Sequence, residues 1–281
     1  MSVADIQSFQ NLLTQGEIKS ILVILPQNPS IDATAAGLSL AMALEKRGYA
    51  VTVSSPSPVT VELNRLVGVN KIREDLGDKN LILSFANYPA DNIEKVSYNI
   101  DNGQFFLTVI PKPGNKAPGQ ENVTLNYAGI GANLVIVVGA NYPEGLGIFA
   151  QNKEFTESLP NVTLALLGNN PLSGWPKAIE LIDASGVSIS ETAYQVLQAL
   201  DVPLDEDLAT NLFLGLESGT ANFTAPTVRS ETFTFAGDLL KAGARRSVSV
   251  TAQMPQFAQP APVRQTMPED LSAFRDSSNI G

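Results

Sequence analysis

One stretch near the start of the chain limits its architecture more than any other. Ile21 to Leu25 is an unbroken apolar run rich in β-branched residues, the pattern of a strand covered on both faces. A loop carrying Pro26 and Pro29 follows. Ala33 to Arg47 then reads as a helix, with Leu38, Leu40, Met42 and Leu44 on it, that stops at Gly48, and Ala50 to Ser54 reads as the next strand. Strand, helix and strand so closely linked form a βαβ unit, which makes the strands parallel and the crossover right-handed. The expected fold class is therefore α/β, a doubly wound, mostly parallel sheet. At 281 residues and 44% apolar content, the chain has enough material to bury a full core.

The pattern continues, with one interruption. Ile6, Phe9, Leu12 and Leu13 recur at helical spacing before Gly16. Leu81 to Phe85 is another strand. Lys95 to Asp101 then alternates with a two-residue period, Asn102-Gly103 is a strong hairpin signal, and Phe105 to Ile110 returns. This predicts an inserted antiparallel hairpin within about 95–127, with Val123 to Tyr127 as a third short strand. Leu134 to Val138, a helical region near Gly145 to Leu159, and Val162 to Leu167 resume the winding. Ser188 with Glu191 forms a capping box for a helix through Leu200, Asp205 caps Glu206 to Glu217, and Ser230 caps a helix ending before Gly243. The domain expected is 1–245. Residues 246–281, rich in Pro, Gln, Ser and Ala without periodicity, read as a flexible tail.

Composition excludes several kinds of chemistry. With no cysteine there are no disulfides, thiolate nucleophiles or usual zinc cages, and with no histidine the commonest general base and transition-metal ligand are missing. A site for a hard metal built from carboxylates stays open. The net charge of −10 argues against an extended nucleic-acid surface, and Lys112/Lys116 and Arg245/Arg246 are small basic spots. No apolar run approaches the roughly 20 residues of a membrane helix, and the start lacks the pattern of a signal peptide, so a cytoplasmic protein without membrane association is expected. Gly129 and Gly131 precede a strand, where a dinucleotide fingerprint must follow one. Asn122, Asn161 and Asn222 match the glycosylation pattern, a coincidence in a chain read without a secretory signal.

In a doubly wound sheet, ligands bind beyond the carboxyl ends of the strands. Those ends carry neutral residues here. The candidate crevice comprises Asn28, Ser30, Asp32, Gly139, Asn141, Gly168, Asn169, Asn170, Gly219 and Asn222. Asp32 is the one carboxylate among them and reads as an N-cap of its own helix, with a ligand role as the alternative. Glu144 and Glu217 lie near two of the junctions and offer a further acidic pairing with Asp32.

These junctions resemble the DHH phosphoesterase superfamily, over approximately residues 18–245. Pro26 to Ala33 resembles its first motif, His-x-Asn-Pro-Asp-Gly-Asp-Ala. Leu134 to Gly139 resembles a strand that the family ends in Asp, and Leu164 to Pro171 the strand with Asp-His-His-Pro. Gly215 to Phe223 resembles Gly-Ile-x-x-Asp-Thr-Gly-x-Phe, and Ser185 to Leu200 the family's Ser-rich capped helix. The resemblance implies a DHH-like domain holding two divalent metals, usually manganese, for phosphoester hydrolysis. It also implies what this chain has lost. Pro26 stands for the first histidine, Ser30, Gly139, Gly168 and Gly219 for aspartates, and Asn169 and Asn170 for the paired histidines, so only Asp32 is retained. Residues 246–281 are expected to form a flexible tail rather than a complete DHH-associated C-terminal domain, unless they are a remnant of one.

Three readings arise. The first is a catalytically inactive, phosphoesterase-like protein with no cofactor, serving binding or assembly through an Asn/Gly-lined crevice that takes a nucleotide-like small molecule or none. The second is a metal-dependent phosphodiesterase or phosphatase on nucleotides or short oligonucleotides, using manganese or magnesium with altered ligands. The third is a structural protein that meets a protein partner or a second copy through the hairpin or tail.

Overall fold

The computed structural model describes residues 2–77, 80–128 and 130–246. They lie within one compact unit, Met1–Ser247. Apart from Arg246, the expected tail lies outside the described residues.

The elements run in order α1 (Val3–Thr14), β1 (Ser20–Ile24), α2 (Ile31–Lys46), β2 (Ala50–Ser54), β3 (Ile72–Arg73), β4 (Asn80–Phe85), β5 (Ile93–Asp101), β6 (Gln104–Pro111) and β7 (Val123–Ala128). They continue with β8 (Leu134–Val138), α3 (Ile148–Gln151), α4 (Lys153–Ser158), β9 (Thr163–Gly168), β10 (Ile179–Ile182), α5 (Ile189–Ala199), α6 (Glu206–Gly219) and α7 (Ser230–Lys241). Six strands form one parallel sheet in the order β10-β9-β8-β1-β2-β3. The chain winds outward from β1 to β3, then returns to β8 on the other flank and continues to β10. The order therefore reverses between β1 and β8, and the crevice of a doubly wound fold belongs beyond their carboxyl ends.

Strand alternation divides the core between the two faces of the sheet. Ile21, Val23 and Leu25 join the larger cluster with α2, α5 and α6, whereas Leu22 and Ile24 join Val135, Val137, Phe149 and Phe155 on the other face. α2 is buried over most of its length. Its small residues let neighbouring helices approach closely: a Cβ at Gly215 of α6 would stand 2.8 Å from Ala35 Cβ and 2.0 Å from Ser190 Oγ of α5.

The inserted segment departs from simple winding. β5 and β6 form the hairpin predicted around Asn102-Gly103. β4 pairs antiparallel with β7 in a second two-stranded sheet, separate from the parallel one. The helical region near Gly145 to Leu159 is broken into α3 and α4, because Gly147 takes φ 53° and Asn152 starts a new helix by accepting the Phe155 N–H at 3.0 Å. α7 begins at Ser230 with Arg229 in the capping position, so the expected Ser230 cap falls one residue inside the helix.

Candidate functional site

The crevice is best built outward from Asp32. Ser30, in extended conformation, is the N-cap of α2 and accepts the Ala33 N–H at 3.1 Å. Asp32 sits two residues further on, inside the first turn, and is only 6% exposed. Its carboxylate reaches across to α5 instead. Oδ2 accepts the Ile189 N–H and Oδ1 the Ser190 N–H, each at 2.8 Å. The reading of Asp32 as the cap of its own helix is thus corrected: it caps a neighbour.

α5 then has little left to offer an anion. Ser188 Oγ accepts the Glu191 N–H at 3.0 Å, and the Glu191 carboxylate accepts the Val187 N–H at 2.8 Å. The first free donors of a helix N-terminus, which elsewhere hold phosphates, are here taken up by Asp32 and Ser188. Burial pushes the Asp32 carboxyl above its ordinary value, and the hydrogen bonds from Ser190 and Ile189 pull it part of the way back.

The glycines at the aspartate positions are close-packed rather than open. A Cβ on Gly139, whose φ is +70°, would lie 2.9 Å from Ile189 Cδ1, 3.3 Å from Ala33 Cβ and 3.9 Å from Pro26 Cγ. On Gly219 it would lie 2.5 Å from Ser188 Cβ and 2.6 Å from Asp32 Oδ2. Pro26, Asp32, Gly139 and Gly219 therefore do converge, but around the first turn of α5, which fills the space between them. The Gly139 N–H is spent on Leu167 O at 2.8 Å. Gly168, at the end of β9, is buried, and its carbonyl accepts the Thr192 hydroxyl at 3.2 Å.

The asparagines lie further out. Asn28 is exposed, takes φ 51°, and donates its N–H to Ser57 Oγ at 2.9 Å. Asn170 is exposed and donates to Asn169 Oδ1 at 3.0 Å, while Asn169 Nδ2 lies 3.5 Å from Gly186 O. The Asn141 carbonyl accepts the Ser173 N–H at 2.9 Å. Asn222, exposed at φ 56°, donates its N–H to Glu217 O at 2.7 Å and closes α6.

No family model matches the chain, and no curated protein matches it. Among solved structures, an exopolyphosphatase-related protein from Bacteroides fragilis aligns with TM-score 0.59 at 14% identity, over 87% of this chain and 58% of its own. The chain has a DHH-like fold. A putative family II inorganic pyrophosphatase from Methanococcus jannaschii aligns with TM-score 0.46 at 14% identity, over 79% of this chain and 56% of its own. This chain thus spans less than two thirds of either neighbour's length.

A DHH-like crevice that holds two divalent cations needs many oxygen or nitrogen donors around them. The residues present do not fit. Among the described residues, no three carboxylates gather into a group able to hold a metal ion. Asp32 has both oxygens on α5, Glu217 is 3.8 Å from Arg246, and Glu144 is exposed.

Sequence reasoning missed a polar cluster beside this crevice. Arg229 lies 3.4 Å from Glu191 and 3.9 Å from Asp183, and the Thr232 hydroxyl donates to Glu191 at 3.0 Å. Burial raises the Asp183 carboxyl, but hydrogen bonds from Ser185 and Gln195 outweigh it and hold the group below its ordinary value. These partners come from the loop after β10, from α5, and from the start of α7 with its capping residue, and only the Ser188–Glu191 spacing signalled any of them.

Proposed function

We propose that this chain uses a DHH-like frame without the metal-assisted phosphoester chemistry of that family, and serves as a binding or assembly module. One observation carries the reading: the Asp32 carboxylate is committed to the first turn of α5, and that turn packs directly on Gly139 and Gly219. Clustered carboxylates tolerate one another only beside a cation, so a frame that dispenses with the metals gains by replacing them with uncharged residues and closing the space. Assembly is favoured over small-molecule binding in the crevice because the space beside Gly139 and Gly219 is filled, and the Asn170 and Asn169 side chains bond to each other and to the Gly186 carbonyl.

The test is an assay of the purified chain with manganese against pAp, short oligonucleotides and pyrophosphate. No turnover above the buffer rate is expected. Turnover that Asp32→Ala abolishes would overturn the reading in favour of an enzyme with altered ligands.

A further inference from the structure

The β5–β6 hairpin carries an apolar face that is largely exposed among the described residues. Cross-strand partners share a face, so the pairs Val96/Val109, Tyr98/Leu107 and Ile100/Phe105 put six apolar side chains on one side. Tyr98 is 72% exposed, Ile100 67% and Phe105 65%. The rings of Tyr98 and Phe105 stack with centroids 5.8 Å apart. The other face is mixed, with the pairs Lys95/Ile110, Ser97/Thr108 and Asn99/Phe106. Among the described residues, β5 and β6 pair only with each other. A two-stranded hairpin is marginal alone in water, and a contiguous exposed patch of this kind marks an interaction surface.

We infer that this face docks against the same face of a second copy of the chain, forming a two-fold dimer through stacked hairpins. The inference rests on the assembly reading above and names its partner. Two features point to a second copy. The chain carries a net charge of −10, so two copies repel over most of their surfaces, yet these six residues carry no charge and let two such molecules meet without opposing like charges. The area also suits a symmetric contact. With an aromatic burying about 150–250 Å², the face offers on the order of 500 Å² per copy. Doubled, that reaches the lower bound of roughly 1,000 Å² for a specific interface, which fits a weak, concentration-dependent dimer.

Sedimentation velocity of the full chain over about 1–200 µM tests this, a range that spans the concentrations at which a weak dimer would form and dissociate. Tyr98→Asp and Phe105→Asp, at positions exposed in the single copy, should each weaken dimerisation at least about tenfold, the equivalent of roughly 1.4 kcal/mol. Val61→Asp, an exposed apolar position outside the hairpin, should leave it unchanged. Because the chain has no cysteine, Leu107→Cys supplies a second readout: mild oxidation should give a covalent dimer, and Val61→Cys should not. A wild type that stays monomeric across the range overturns the inference, as does a dimer indifferent to both hairpin charges. A monomer that pellets with phosphatidylcholine vesicles overturns it in favour of a lipid surface. An inert monomer would remove only the dimer, and turnover with manganese would remove only the non-catalytic reading.

Discussion

Asp32 ties two helices together by their first turns. Its position in the sequence, just before a run of small apolar residues, was legible as a helix start, but its partner was not. Ser30 and Asp32 are both good capping residues two positions apart, and only backbone geometry decides that Ser30 takes α2 and releases Asp32 to α5. Replacing Asp32 with Ala strands the buried Ser190 N–H and the part-buried Ile189 N–H. Relief of a buried carboxylate offsets part of that loss, so Asp32→Ala should cost about 2 kcal/mol in urea unfolding. The pH dependence fixes the mechanism. A carboxyl raised in the folded state contributes stability that is full below its ordinary value of 3.8 and is lost as pH rises through the raised value. The gap between wild type and Asp32→Ala should therefore widen as pH falls from neutral towards 4. A gap that narrows on acidification would mean that the hydrogen bonds from α5 outweigh burial at Asp32.

At the level of elements, local patterns were read well and long-range partners were not. The hairpin signal at Asn102-Gly103 and the Asp205 cap of α6 follow from residues close in sequence, and both are present, the latter with the Leu208 N–H donating at 3.0 Å. β4 reads as one more core strand, yet its partner is β7, about forty residues on, and period alone does not assign a strand to a sheet. β10 escaped notice because it is a short run, Ile179–Ile182, interrupted by Glu180. The same holds for the tie between α5 and α7. The Glu191 side chain is fully buried and keeps Thr232 and Val187 as partners when Arg229 is removed, so Arg229→Met should cost about 2–3 kcal/mol, less than a buried pair left wholly uncompensated. Chemical denaturation followed by far-UV circular dichroism measures it. A cost within about 0.5 kcal/mol would mean that Arg229 behaves as an ordinary surface cation.

For the whole molecule, the winding of the sheet was legible from its alternation of strand and helix, and the crevice from where strands end. What sequence left open was whether the glycines and asparagines line a cavity. Glycine has no side chain to announce what packs on it, and here Ile189, Ser188 and Asp32 lie where a Cβ at Gly139 or Gly219 would stand. Among the described residues, no helix is long and apolar enough to cross a membrane. Among the described residues, the hairpin strands carry a dense group of exposed large apolar side chains, Val96, Tyr98, Ile100, Phe105, Phe106, Leu107 and Ile110. The central claim, that the first turn of α5 and its tie to Asp32 take the place of a dinuclear metal centre, is tested most directly by isothermal titration of the full chain with MnCl₂. No stoichiometric binding is expected. Two manganese ions per chain, lost in Asp32→Ala, would contradict it.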